Sequence, residues 1–493
     1  MSGFKRKGGD EGSASKAAKG GSSLSSAGRK ALDEEGDDDL AFEDPYEDEF
    51  EEEEVEDDGE EDEDEDEMDE DGKEGKGRLE DDGEAQKQVW RPGIDKLEDG
   101  ETLEYDPSAY TMYHQIGVDW PCLSFDILRD TLGDARTRFP HSMFLVSGSQ
   151  ADKADNNKVT LMSLRELHKT YQADEDNEDE DDNDDDLDDD PVLEHINIPH
   201  RGGVNRIRSC PQHPGLVATM ADDGKAHIFD AVAVVQGLMN PGTPAGAIPK
   251  KPAYTFHKHM QEGYALDWSP KEAGRLATGD CGGLIHVWNM GANSATWSVD
   301  TAPFAGHRGS VEDIQWSPSE ATVFISSSTD RAFKVWDIRS KAPMITVEAH
   351  SDDINVISWS RAQTYLLATG CDDGSFKVWD LRAAREGKAL ANFTYHKGPI
   401  TSVDWAPHDE SVLCVSSADN QVTVWDLSVE ADEEPAAGAG AADLSAYPPQ
   451  LLFIHQGQQN VKEIHHHPHI PGVIVSTAED GFNVFKPAIT VSN

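Results

Sequence analysis

The chain has 493 residues and a formal charge of −55, but that charge is concentrated. Asp33 to Glu84 holds 34 carboxylates against Lys73, Lys76 and Arg78, and Asp174 to Asp190 holds 14 with no base, which leaves a net charge of −10 on the remainder. The sign of these stretches argues against direct nucleic-acid binding by them, and no apolar run is long enough to span a membrane as a helix.

The first hundred residues open rich in Gly, Ser and Ala and then become acidic. They offer too few apolar side chains to offset the entropy of ordering, so a disordered acidic tail is expected over 1–100. With no secretory signal at its start, the chain reads as intracellular and soluble. Lys5-Arg6-Lys7 is either part of a nuclear import signal or a solvated terminus.

Next comes LEYDPSAYTMYHQIGVDWPCLSFDIL, residues 103–128. Asp106-Pro107 suits the first turn of a helix, and Tyr110, Tyr113, His114 and Ile116 offer one side for packing. A helix is therefore expected over 101–119, with Trp120-Pro121 ending it and starting a strand.

From residue 120 to the C-terminus the sequence repeats. The same 29-residue interval separates His200 from Phe229, His259 from Trp288, His307 from Trp336, His350 from Trp379 and His396 from Trp425. Each unit offers three β-rich runs divided by Pro, Asp, Gly and Ser turns, as in ATGCDDGSFKVWDLR (368–382). One such sheet cannot bury both faces, so the units must stack and close into a ring. The period resembles that of WD-repeat blades, which implies an all-β, seven-bladed propeller over 120–493. Its closing positions are Met162, Phe229, Trp288, Trp336, Trp379, Trp425 and Phe485, the first and last blades being degenerate, and Asn289 stands where Asp is the rule. The acidic run is a loop over 173–191 inside the first blade, and 237–252 and 431–449 lengthen two later connections at the rim.

Within the ring, His307, Ser327 and Asp330 are the residue types of a hydrolase triad, but the cluster recurs from blade to blade. Repetition argues against catalysis, since nucleophilic sites are single and pocketed. A structural network is expected, carried by His307, Asp330 and Trp336, by His350, Asp373 and Trp379, and by His396, Asp419 and Trp425, with no catalytic or cofactor-binding residues. Five cysteines with no CxxC pair read as buried free thiols. The run His465-His466-His467-Pro468-His469 invites a metal, yet His466 falls where Trp316, Trp359 and Trp405 fall, and alternating strand faces keep neighbouring imidazoles from converging. No metal is expected there.

The segment leading through Trp120-Pro121 into the first strand, with HINIPHRGGVNRIR and PQHPGLVAT, resembles the histone-binding WD-repeat proteins of chromatin assembly. With the acidic tail added, the whole chain resembles the glutamate-rich WD-repeat proteins. That resemblance implies a non-catalytic chaperone of the nucleus and nucleolus, which binds and shields a newly made basic large-subunit ribosomal protein, the one called L-three. It further implies a partner groove beside Tyr105, Tyr110, Tyr113 and His114, walled by Asp184, Asp185, Asp186, Asp188, Asp189 and Asp190. A polyanion would compete with RNA for the client's basic surface through many weak contacts. Two alternatives stay open. One is a histone client. The other is a ubiquitin-ligase substrate receptor of the cullin type, because Trp336-Asp337-Ile338-Arg339 and Trp379-Asp380-Leu381-Arg382 resemble an adaptor-docking motif in which Arg339 and Arg382 reach the adaptor.

Overall fold

A computed structural model describes residues 4–7, 102–170, 191–240, 242–244, 246–300, 302–430 and 447–489. Among them, seven antiparallel sheets form a β-propeller. Blades 1 to 6 are continuous in sequence and span 122–199, 204–256, 265–305, 311–348, 354–393 and 400–455. The seven closing residues occupy one register position: Met162 pairs with Leu145, Phe229 with Val217, Leu276 with Trp288, Phe324 with Trp336, Leu367 with Trp379, Leu413 with Trp425 and Ile474 with Phe485. A single α-helix among the described residues, Val232–Met239, follows the third strand of blade 2 and buries Val234, Val235 and Leu238.

The core is a ring of apolar clusters between neighbouring blades. One cluster joins Ile325 and Val335 of blade 4 to Ile357 and Trp379 of blade 5, and another joins Phe125 and Leu145 of blade 1 to Val475 and Val484 of blade 7. Close approach needs small residues at the seam. A Cβ on Gly148 would stand 2.3 Å from Val204, and one on Gly370 would stand 2.4 Å from Ile400. Polar side chains on the innermost strands then staple one blade to the next. Asp126 accepts from the Ser209 amide at 2.8 Å, Asp267 from Trp316 at 2.7 Å, Asp404 from His466 at 2.7 Å, and Glu463 from Phe125 at 2.8 Å.

The helix expected over 101–119 is not formed. Asp106 caps a short 3-10 turn, Pro107–Ala109, and the chain then runs as a strand, Tyr110–Ile116. That strand pairs antiparallel with Gly481–Pro487 and supplies the outer strand of blade 7. Blade 7 draws only three strands from the C-terminal end (Glu463–His466, Ile474–Ala478, Gly481–Pro487), so an open edge selects an extended conformation for Tyr-Thr-Met-Tyr-His-Gln-Ile over a local helix. Phe4–Lys7, which contains Lys5-Arg6-Lys7, pairs with Thr102–Tyr105; the rest of the expected tail lies outside the described residues.

Candidate functional site

The repeated histidines build one node per blade. In blade 4, His307 Nδ1 lies 3.0 Å from the Asp330 carboxylate and Nε2 lies 2.7 Å from Ser326 Oγ, which also accepts the Trp336 indole N–H at 2.8 Å. Blade 3 repeats this with His259, Asp280, Thr278 and Trp288, and blade 6 with His396, Asp419, Thr423 and Trp425. In blade 5 the imidazole of His350 meets Thr369 and Ser375, while Asp373 caps the turn at Ser375. The serine of the blade 4 node is Ser326. Ser327, expected beside His307, has its hydroxyl buried with no hydrogen-bond partner among the described residues. Ser326 is itself fully buried and engaged on two sides, so the node offers no reachable nucleophile. Burial holds the His307 imidazole below its usual pKa in spite of Asp330. For Asp330 burial acts upward, but the His307 hydrogen bond and charge outweigh it and bring the carboxyl down to about 2.

The five histidine-run residues diverge. His465 stacks edge-on against Phe125, His466 lies 3.3 Å from Asp404, His467 is buried, and His469 reaches Asp134. Among the described residues the one three-residue grouping with metal-ligand spacing is His350, Cys371 and Asp373. Burial pushes the Cys371 thiol up to about 11, and the His350 Nε2 is already taken by Thr369, so this trio serves as a hydrogen-bonded turn. The five cysteines are free thiols, four of them buried.

The residues expected to line a partner groove separate into two sets. Tyr110 is buried, with its hydroxyl 2.8 Å from His455 Nδ1, and Tyr113 is buried with its hydroxyl accepting from Asn483 at 3.2 Å. Both belong to the core of blade 7, so neither presents its ring to a partner. His114 is half-buried, with its Nε2 3.2 Å from the His168 carbonyl. Tyr105 remains at the surface, 43% exposed, its ring 5.1 Å from that of Tyr113. Beside it, Thr170 Oγ1 accepts from the Tyr113 amide and the Thr170 amide donates to Thr111 O at 3.1 Å. Thr170 is the last described residue before the acidic run, so the root of that run is fixed to the N-terminal strand. Asp184, Asp185, Asp186, Asp188, Asp189 and Asp190 lie outside the described residues.

Two arginines and a carboxylate cross the ring interior. Buried Glu463 accepts from Arg206 at 2.7 Å and from Arg208 at 2.6 Å. Burial opposes its ionisation, and the two guanidinium groups overcome this and hold the carboxyl well below the usual range. Where the innermost strands begin, Glu312 and Asp353 act on Arg206 and on one another, and both are pushed up, by burial first and then by like charge. Glu262 accepts from Asn205 nearby. At the opposite face Arg339 and Arg382 extend into solvent, each folded back on the aspartate of its own Trp-Asp pair, and Arg382 stacks 3.8 Å over Tyr365. Both are available to a partner as cations already part-neutralised.

Comparison with known proteins agrees with this architecture. The profile for histone-binding protein RBBP4 and its equivalent in the CAF1 complex matches residues 100–168, and the WD domain, G-beta repeat, matches 298–337, 341–380 and 387–426. The chain is 45% identical over 460 residues to ribosome assembly protein rrb1 of Schizosaccharomyces pombe, covering 90% of this chain and 92% of that one. It is 50% identical over 428 residues to protein HEAT STRESS TOLERANT DWD 1 of Arabidopsis thaliana, covering 81% and 91%. With glutamate-rich WD repeat-containing protein 1 of Dictyostelium discoideum it shares 49% over 414 residues, 81% of this chain and 85% of the other. Near-complete coverage at this identity, on a ring closed by its own N-terminal strand, places the chain in the glutamate-rich WD-repeat family.

Proposed function

We propose that the protein acts in ribosome biogenesis as a non-catalytic chaperone, in the nucleus and nucleolus, that shields a newly made basic large-subunit ribosomal protein of the L-three family. The observation that carries this is the Thr170 junction. It ties the start of a run with 14 carboxylates and no base to the strand beside exposed Tyr105, so an anionic segment and a docking surface share one edge of the ring. The likeness to a ribosome assembly protein over nearly the whole chain supports the same reading. Each exposed ion pair contributes about 0–1 kcal/mol, so shielding depends on many contacts acting together and stays reversible. Binding of the purified client at 100 mM and 400 mM salt tests this, with wild type compared to a chain whose Asp184, Asp185, Asp186, Asp188, Asp189 and Asp190 are Asn. Affinity should drop with salt and with the substitutions; a salt-independent, substitution-independent affinity would reject it.

A histone client is the second reading, favoured by the histone-binding profile over 100–168. Competition between the ribosomal protein and histones for one preparation separates the two. The adaptor-docking reading rests on exposed Arg339 and Arg382, and ends if the intact adaptor fails to bind or binds the R339A/R382A chain equally well.

A further inference from the structure

The position two residues beyond the end of each innermost strand's register is occupied by Pro211, Pro270, Pro318, Pro407 and Pro468 in five blades. In blades 1 and 5 the same position holds Arg129 and Arg361. These seven turns surround one end of the channel, at the face that also carries Arg339 and Arg382. A cavity of about 290 Å³ opens there, and Arg129 and Arg361 both line it together with tryptophans 268, 316, 359 and 405. The two arginines come from nearly opposite sides of a seven-membered ring. Burial lowers Arg129 from its usual value and the Arg361 charge adds to this, so the two guanidinium groups sense one another.

Every other charged group in the cavity is committed. Arg208 is held by Glu463; Asp126, Asp267 and Asp404 accept backbone amides of the next blade. Burial pushes Asp267 up to about 7, which halves its negative charge near neutrality. Arg129 and Arg361 make no ion pair or hydrogen bond among the described residues. Two facing cations, one half-buried and both unpaired, are disfavoured in isolation and are stabilised by a group with two anionic oxygens, which a guanidinium fork grips bidentately.

We propose that this end of the channel is a second docking site, which takes a short acidic peptide segment of a partner protein with one carboxylate or phosphate gripped between Arg129 and Arg361. The proline and tryptophan rim supplies apolar walls for the flanking side chains. Two recessed cations within an apolar rim suit a peptide side chain, whereas a nucleic acid would require an extended basic stripe. The site is distinct from the acidic surface offered to a basic client, and lies at the other end of the innermost strands from Glu312 and Asp353.

The test uses the full-length protein, wild type and R129Q/R361Q, panned at low salt against a phage-displayed peptide library. Basic peptides captured by the acidic stretches are common to both proteins and cancel. Peptides enriched by wild type alone should carry Asp or Glu at a fixed place. Synthetic forms with Glu, Gln or phosphoserine there are then titrated by fluorescence anisotropy. The Glu or phosphoserine form should bind at least tenfold more tightly than the Gln form; whichever is tighter identifies carboxylate or phosphate as the source. That preference should vanish in R129Q/R361Q, weaken in R129K/R361K and persist in K271Q, whose lysine sits in the blade 3 turn outside the cavity. Thermal unfolding checks that each variant is folded, and if R129Q/R361Q is not, the lysine pair carries the comparison. An absence of acidic enrichment, equal binding by the substituted proteins, or homopolymeric RNA bound through the two arginines in place of peptide would overturn the proposal.

Discussion

Blade 4 and blade 7 have the same strand order, but they are completed differently. Blade 4 is read from 38 consecutive residues, 311–348, and its His307–Ser326–Trp336 node is internal. Blade 7 joins Tyr110–Ile116 to Gly481–Pro487, and its polar contacts, Tyr110 to His455 and Glu463 to Arg206 and Arg208, reach across the seam into other blades. The difference teaches that a repeat secures each blade locally, whereas the departures from it secure the ring. Closure is a long-range contact and rests on few residues.

The largest test of that contrast is removal of residues 102–116. It should leave blade 7 with an unpaired edge and the Tyr110 and Met112 sites empty, and abolish a single cooperative unfolding transition in calorimetry. A transition unchanged in midpoint would show that closure is dispensable. Next, Glu463→Gln leaves two buried guanidinium groups without their counter-charge and should cost about 3–5 kcal/mol in urea denaturation, the range for breaking a buried ion pair from one side. A loss below about 1 kcal/mol would mean that Arg206 and Arg208 are solvated.

Third is acidity. Burial holds His350 and His227 down to about 4, so both are neutral in the folded ring and charge more readily once unfolded. Their contribution is complete above about pH 6.5 and is lost as pH falls from there toward 4, by up to about 1.4 kcal/mol per pH unit for each. The melting temperature should therefore fall between pH 7 and pH 5, and His350→Asn should flatten part of that slope; an unchanged slope would contradict the assignment. The smallest effect separates two neighbours. Ser326→Ala leaves buried His307 and Trp336 nitrogens unpaired and should cost about 1–3 kcal/mol, while Ser327→Ala should stay within about 0.5 kcal/mol. The reverse order would shift the node by one residue.

Much of the ring is legible in the sequence because the repeat acts at fixed intervals. The His-to-Trp spacing of 29 marks the closing positions, and the blades follow. A second interval marks the nodes: Thr278 and Thr369 lie 19 residues after His259 and His350, and the same step from His307 gives Ser326 rather than Ser327. The helix expected over 101–119 fails because an Asp-Pro start announces any tight turn, 3-10 included, and the partner strand lies some 370 residues away with no local signature. The three strands in the last blade, instead of four, are the signal of the vacancy that the segment fills. Tyr110 and Tyr113 resemble groove residues for the same reason. As a strand, the segment turns them into blade 7, and Tyr105 alone stays at the surface.

The claim that this ring presents an anionic surface to a basic ribosomal client is tested most directly by affinity purification of the tagged full-length protein at low salt, with bound proteins identified by mass spectrometry before and after a high-salt wash. The account predicts one basic large-subunit ribosomal protein dominating at low salt and largely lost at high salt. Histones or ligase adaptors dominating instead, or a ribosomal protein retained through the high-salt wash, would contradict it.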